Sequence, residues 1–127
     1  MAYGMTEWPI EEVPDDDALY RRANRVHVRG DGIEPGAFKA YPRGSERMSV
    51  DWERYSSPEE SVGRMGNAEN NALVKLIAGQ VRSELGLQVN HRPLPENRSH
   101  SEVLGKNTEG MRVKLSRLCI LVIPLKN

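Results

Sequence analysis

Two histidines lie nine residues apart in the stretch HRPLPENRSHSEVLGK, residues 91–106. Imidazole titrates at about 6.5, so a pair of them can supply one acid and one base at neutral pH, as phosphodiester chemistry requires. His91 and His100 are joined by a segment containing Pro93 and Pro95. If the two flank a hairpin, their rings face each other. Glu102 follows His100 by two residues, shares its strand face and would orient one imidazole. Arg92 and Arg98 add forked donors suited to a phosphate. The same residues also read as a polar turn between two strands, because Pro, Asn and Ser are turn formers.

Other catalytic patterns are missing from the sequence. It has no Gly-x-Ser-x-Gly nucleophile elbow and no Gly-rich loop ending in Lys-Ser/Thr. Neither His-x-x-x-His nor Cys-x-x-Cys occurs, so no metal and no cofactor is expected. Asp51, Glu53, Glu59 and Glu60 read as strand surface and helix cap. His27, between Val26 and Val28, reads as a strand-surface histidine. The single cysteine, Cys119, sits in the apolar run RLCILVI and reads as a buried thiol.

A second constellation is basic. The window 20–29, YRRANRVHVR, carries Tyr20, Arg21, Arg22, Arg25, His27 and Arg29 with no acid among them. It suits phosphate, nucleic acid or an acidic protein face. The adjoining triplet Asp15, Asp16 and Asp17 would neutralise part of it. Eighteen basic and eighteen acidic residues balance to a formal charge of zero, so nothing draws the whole chain toward nucleic acid or an anionic membrane. Trp8 and Ile10 are the apolar exceptions in an acidic, Pro-containing stretch, residues 1–17. They are expected to dock this extended arm onto the body or onto a partner.

The elements that must position these groups follow from local patterns. Met48, Val50 and Trp52 alternate with Ser49, Asp51 and Glu53, a half-buried strand. Val26 and Val28 alternate similarly before the Gly-Asp-Gly turn. Ser57, Pro58 and Glu60 form a capping box, predicting a helix over 58–65 stopped by Gly66. Residues 72–86 read either as one helix or as a strand through ALVKLIA, a break at Gly79 and a short helix; the Asn-Asn and Gly boundaries favour the second. Leu87 and Val89 then face one way on a strand, Gln88 and Asn90 the other. SHSEVLG reads as another short strand. Met111, Leu115, Leu118, Cys119 and Val122 make a helical stripe behind Thr108 as N-cap, with a strand through CILVIPL as the alternative. Phe38, the only Phe, is expected to anchor a long loop to the core.

Together these predict one α+β domain over 18–127, a small mixed or antiparallel sheet with two to three helices, preceded by the acidic arm. No apolar run approaches the roughly 18 residues that cross a bilayer, so no membrane role is expected. The lone cysteine and the lack of a secretory leader point to the cytoplasm. Two functions follow. One is a non-catalytic adaptor or accessory subunit, binding a protein partner through Trp8, Arg21, Arg22, Arg25 and Arg29. The other is a small enzyme acting on RNA or a nucleotide, with His91 and His100 as acid and base and Arg92 or Arg98 on the phosphate.

Overall fold

The computed structural model describes residues 8–30 and 32–126. Its main sheet is antiparallel throughout. Six strands, β1 (Ala18–Asn24), β4 (Arg47–Trp52), β5 (Asn71–Ile77), β6 (Gln88–His91), β7 (His100–Leu104) and β8 (Ile120–Ile123), lie in the order β6-β7-β4-β1-β5-β8. A separate two-residue ladder joins β2 (Val28–Arg29) to β3 (Gly32–Ile33). Among the described residues three helices, α1 (Pro58–Gly63), α2 (Ala78–Leu85) and α3 (Glu109–Leu118), complete the α+β fold. Each joins two strands that point the same way: β4 to β5, β5 to β6 and β7 to β8.

Alternation along the strands divides the molecule into layers. On one face Leu19, Met48, Val50, Trp52, Val74, Leu76 and Val103 pack against Phe38, Val81 of α2 and Leu115 of α3. On the other, Ala18, Tyr20 and Leu73 pack only against Val62 of α1 and its neighbours. This second layer covers the β1-β5-β8 side of the sheet and leaves the β4-β7 side for polar groups.

Several local expectations meet the structure directly. Ser57 and Glu60 form the reciprocal capping box, with Pro58 leading α1. The helix ends at Gly63, with Arg64 as its C-cap, earlier than the pattern suggests; Gly66, at φ 82°, closes the following turn. Residues 71–85 are strand then helix, and Gly86 ends α2 in the left-handed region. The C-terminal stripe splits: helix to Leu118, then β8 through Ile120–Ile123. The Val26 and Val28 alternation is misleading. β1 ends at Asn24, whose side chain accepts from Val26 N–H and turns Arg25–His27 into a 3-10 turn. His27 therefore sits in a turn, with its ring against Gly36.

The arm is part of the body from Trp8 onward. Val13 is buried in the main core. α2 has no side-chain N-cap, and the arm takes that role: Ala78 N–H donates to Asp17 O (3.0 Å) and Gly79 N–H to Asp15 O (2.8 Å). Orphan amides of a first helical turn need such acceptors. Arg82 adds an ion pair to Asp15 at 2.7 Å. The Asp17 carboxylate accepts from Trp52 Nε1–H (2.8 Å), just before β1 begins at Ala18.

Gly79 is thus a point of close approach and not a break. A Cβ there would lie 2.8 Å from Asp15 Cβ and 3.0 Å from its carbonyl oxygen. Helix propensity alone predicts that Gly79→Ala stabilises by about 1 kcal/mol. We expect net destabilisation in urea unfolding, with faster hydrogen exchange at the Gly79 amide. Stabilisation near the propensity value would contradict this docking.

Candidate functional site

The two histidines lie on opposite faces of the sheet. His91 pairs with Ser101 across β6 and β7, and His100 precedes Ser101 by one residue. Successive side chains on a strand point to opposite faces, so this register separates the imidazoles. The expected facing pair is therefore not formed.

His91 belongs to the core. It is 1% exposed and meets Trp52 edge-on, ring centroids 5.0 Å apart. Its Nδ1 accepts from Glu11 N–H at 3.0 Å, and its Nε2 lies 2.7 Å from Arg98 O. A carbonyl only accepts, so Nε2 carries the proton. Both nitrogens clasp the arm and the loop. Arg98 is likewise structural: its guanidinium lies 3.9 Å over Tyr55 and 4.7 Å over Trp8, and Nη2 donates to the Tyr55 hydroxyl. Trp8 therefore docks the arm on the body. Arg92 contributes its backbone to the 91–100 loop, and its side chain is exposed outside the cavity that His100 lines.

His100 lies on the α1 face and lines a cavity of about 380 Å³ between β1, β4, the end of α1 and the turn at 94–97. That volume falls in the range of small-ligand sites. His100 Nδ1 is 2.8 Å from Arg92 O and must donate to it. In the neutral ring this leaves Nε2 as a lone pair, 3.4 Å from Ser49 Oγ. The orienting group is this carbonyl, not Glu102. One Glu102 carboxylate oxygen is buried with no partner among the described residues, and the side chain does not line the cavity.

The cavity's charge comes from Asp51, Arg64 and Arg22, which the sequence does not group as one site. Asp51, 5% exposed, accepts from Arg64 Nε (3.2 Å) and Asn97 Nδ2 (3.0 Å), with Arg22 Nη1 at 3.8 Å. Arg22 also donates to Ser61 O, and Arg64 to Ser56 Oγ. Arg22 Nε and Nη2 and Arg64 Nη1 make no hydrogen bond among the described residues. Burial, partly offset by Asp51, holds Arg22 below the usual arginine range. Burial raises the Tyr20 hydroxyl, reinforced by Glu53 and Glu59, so it stays protonated at neutral pH. From sequence, His100 reads as one of an acid–base pair, Tyr20 and Arg22 as part of a basic window and Asp51 as strand surface; the cavity joins them. Arg64 had a readable signal: it caps a helix whose start is unmistakable. Asn97 looked like turn chemistry, which it also performs, accepting from Ser99 N–H and Oγ–H.

The basic window does not form one surface. Arg21 sends Nε, Nη1 and Nη2 to the carbonyls of Ala37, Ser49 and Lys39, and burial, with Arg22 beside it, brings its guanidinium down to about 10. Arg22 faces the cavity. Arg25 reaches Glu69 O and Lys126 O, and Arg29 pairs with Glu34 at 3.7 Å. Cys119 is half-buried, its thiol donating to Ser116 O and raised by burial. Among the described residues, no three His, Cys, Asp or Glu converge to hold a metal, and no helix is long and apolar enough to cross a membrane. Comparison of the chain with known protein families, curated proteins and solved structures gives no match.

The arm's own polar junction is testable. Glu11 accepts from the Tyr55 hydroxyl and lies 3.8 Å from Arg54 and 3.7 Å from Arg98. The Tyr55 bond first, then the two guanidinium charges, holds its carboxyl below the ordinary value. A group held lower in the folded than in the unfolded chain stabilises above the ordinary pKa and loses that contribution as pH falls through the folded value. Arm docking should therefore weaken below about pH 4, read as faster exchange at the Glu11 amide. Tyr55→Phe should blunt that dependence. Exchange that stays flat through the acid range would rule out this linkage.

Proposed function

We propose that the chain is a small enzyme acting on a phosphate-bearing substrate in the cavity beside His100. The observation that carries this reading is the fixed imidazole: Nδ1–H is spent on Arg92 O, and Nε2 opens toward the cavity and Ser49. A base oriented by a third group, with a hydroxyl close by, is the arrangement acid–base and nucleophilic catalysis require. In this reading Nε2 takes the proton of an attacking hydroxyl or water. The spare donors of Arg22 and Arg64 hold the phosphoryl oxygens, a task suited to forked guanidinium groups. Asp51 fixes both arginines.

The test is turnover of p-nitrophenyl phosphate, a cyclic nucleotide monophosphate and a short RNA by the purified chain. His100→Ala is expected to lower turnover by about 100- to 10,000-fold with circular dichroism unchanged. Arg64→Met should raise KM more than it lowers kcat. A wild-type chain inert on all three substrates, or a His100→Ala variant that retains full activity, removes the reading.

A second reading, an accessory subunit that binds a protein through the arm, is favoured by one observation: Ile10 is 72% exposed and Trp8 keeps 37% exposure beside Arg98. It would rest on the arm alone, since Arg21, Arg22, Arg25 and Arg29 are dispersed. Partner capture that survives Ile10→Asp with Trp8→Ala would remove it.

A further inference from the structure

A second recess, of about 770 Å³, shares no lining residue with the His100 cavity. One wall is the loop after the 3-10 turn Pro35–Phe38; the other is the segment entering α3. Among the described residues Lys39, Arg43, Lys106 and Arg112 line it, against Glu46 as the one acid. None of the four cations has a carboxylate within 4.0 Å among the described residues. Such unneutralised charge is local, because the chain as a whole balances at zero. A concave surface lined by one sign of charge focuses its field on an incoming counter-charge.

The recess is also built to hold its shape. Asn107 bolts the walls together: its Oδ1 accepts from Ala40 N–H (3.0 Å) and its Nδ2 donates to Phe38 O (2.9 Å). Arg112 donates to the Asn107 carbonyl and side chain, which fixes one of the four cations. Tyr41, on the lining, is 89% exposed. An exposed aromatic ring among cations matches the stacking platform and charged track used to grip unpaired bases and their phosphates.

We propose that this recess binds single-stranded nucleic acid, with phosphates over Lys39, Arg43, Lys106 and Arg112 and a base on Tyr41. The site stands apart from the proposed activity: binding here needs no residue of the His100 cavity.

Fluorescence anisotropy with a labelled oligouridylate of about 12 nucleotides, in salt from about 50 to 200 mM, tests it. Neutralising up to four phosphates predicts a slope of log affinity on log salt no steeper than about −3. Arg43→Glu with Lys106→Glu should weaken binding at least about tenfold and flatten that slope by about 1 or more. Tyr41→Ala should weaken it about tenfold with the slope kept. These side chains are exposed, and an unchanged melting curve confirms that the variants fold. His100→Ala should bind the strand as the wild type does, whether or not it retains activity. Absence of binding at the lowest salt overturns the proposal, as does binding indifferent to the charge reversals. If adenosine monophosphate or inorganic phosphate competes as well as the strand, mole for mole of phosphate, the recess is a free-anion site and the strand proposal is wrong.

Discussion

A carboxylate in the middle of a sheet must find partners, and Asp51 organises one whole face of this protein by finding them. Leaving a buried charge unpaired costs several kcal/mol, whereas a well-partnered one is close to neutral for stability. Asp51 draws its partners from separate parts of the chain: Arg64 past the end of α1, Asn97 in the turn between β6 and β7, and Arg22 at 3.8 Å on β1. The helix end and the turn are therefore held on either side of β4 and cannot close over it with apolar side chains. The recess containing His100 is what that arrangement leaves. Polar specification on this face contrasts with the opposite one, where Trp52, Phe38, Leu19 and Leu115 fill the space to near-zero exposure.

Much of the fold was legible because its signals are local. The capping box at Ser57 and the Met48, Val50 and Trp52 alternation depend on residues a few positions apart, and each appears where its chemistry predicts. The arm was harder to read. Its hold on the body uses the backbone carbonyls of Asp15 and Asp17 and the space above Gly79, and backbone acceptors carry no sequence signature. The 20–29 window misled for a related reason. Counting like charges along a strand ignores that neighbours point to opposite faces, so Arg21 and Arg22 were bound to part company.

The candidate site was half legible. The stretch 91–106 contributes His100 and Asn97 to the cavity. The pairing of His91 with His100 failed on register: their separation along the chain does not determine parity across a hairpin, because the loop between them contributes its own turn and an isolated Leu94–Asn97 bridge. Once β6 pairs Val89 with Val103, His91 is committed to the core with Trp52, and its nitrogens go to structural bonds. Arg64 and Asp51 reach the same cavity only through the packing of α1 on β1 and β5, a contact that no single stretch encodes.

The same two strands carry both polar recesses. Arg47 pairs with Leu104 at one end of the β4–β7 ladder and Asp51 with His100 at the other, a separation of four residues, or about 14 Å at the rise of a strand. Glu46 and Lys106 extend beyond the first end into the basic recess, and Ser49 and His100 line the cavity toward the second. A continuous ladder is stiff along its length, so a ligand gripped in one recess has a fixed position relative to the other. Remote binding energy becomes useful to a reacting centre only under that condition, when the scaffold between them does not yield. Arg21 strengthens the link, tying Ser49 O on β4 to the Ala37 and Lys39 carbonyls on the wall of the basic recess. Its three bonds brace the joint between the two recesses, and Arg21 itself lines the His100 cavity.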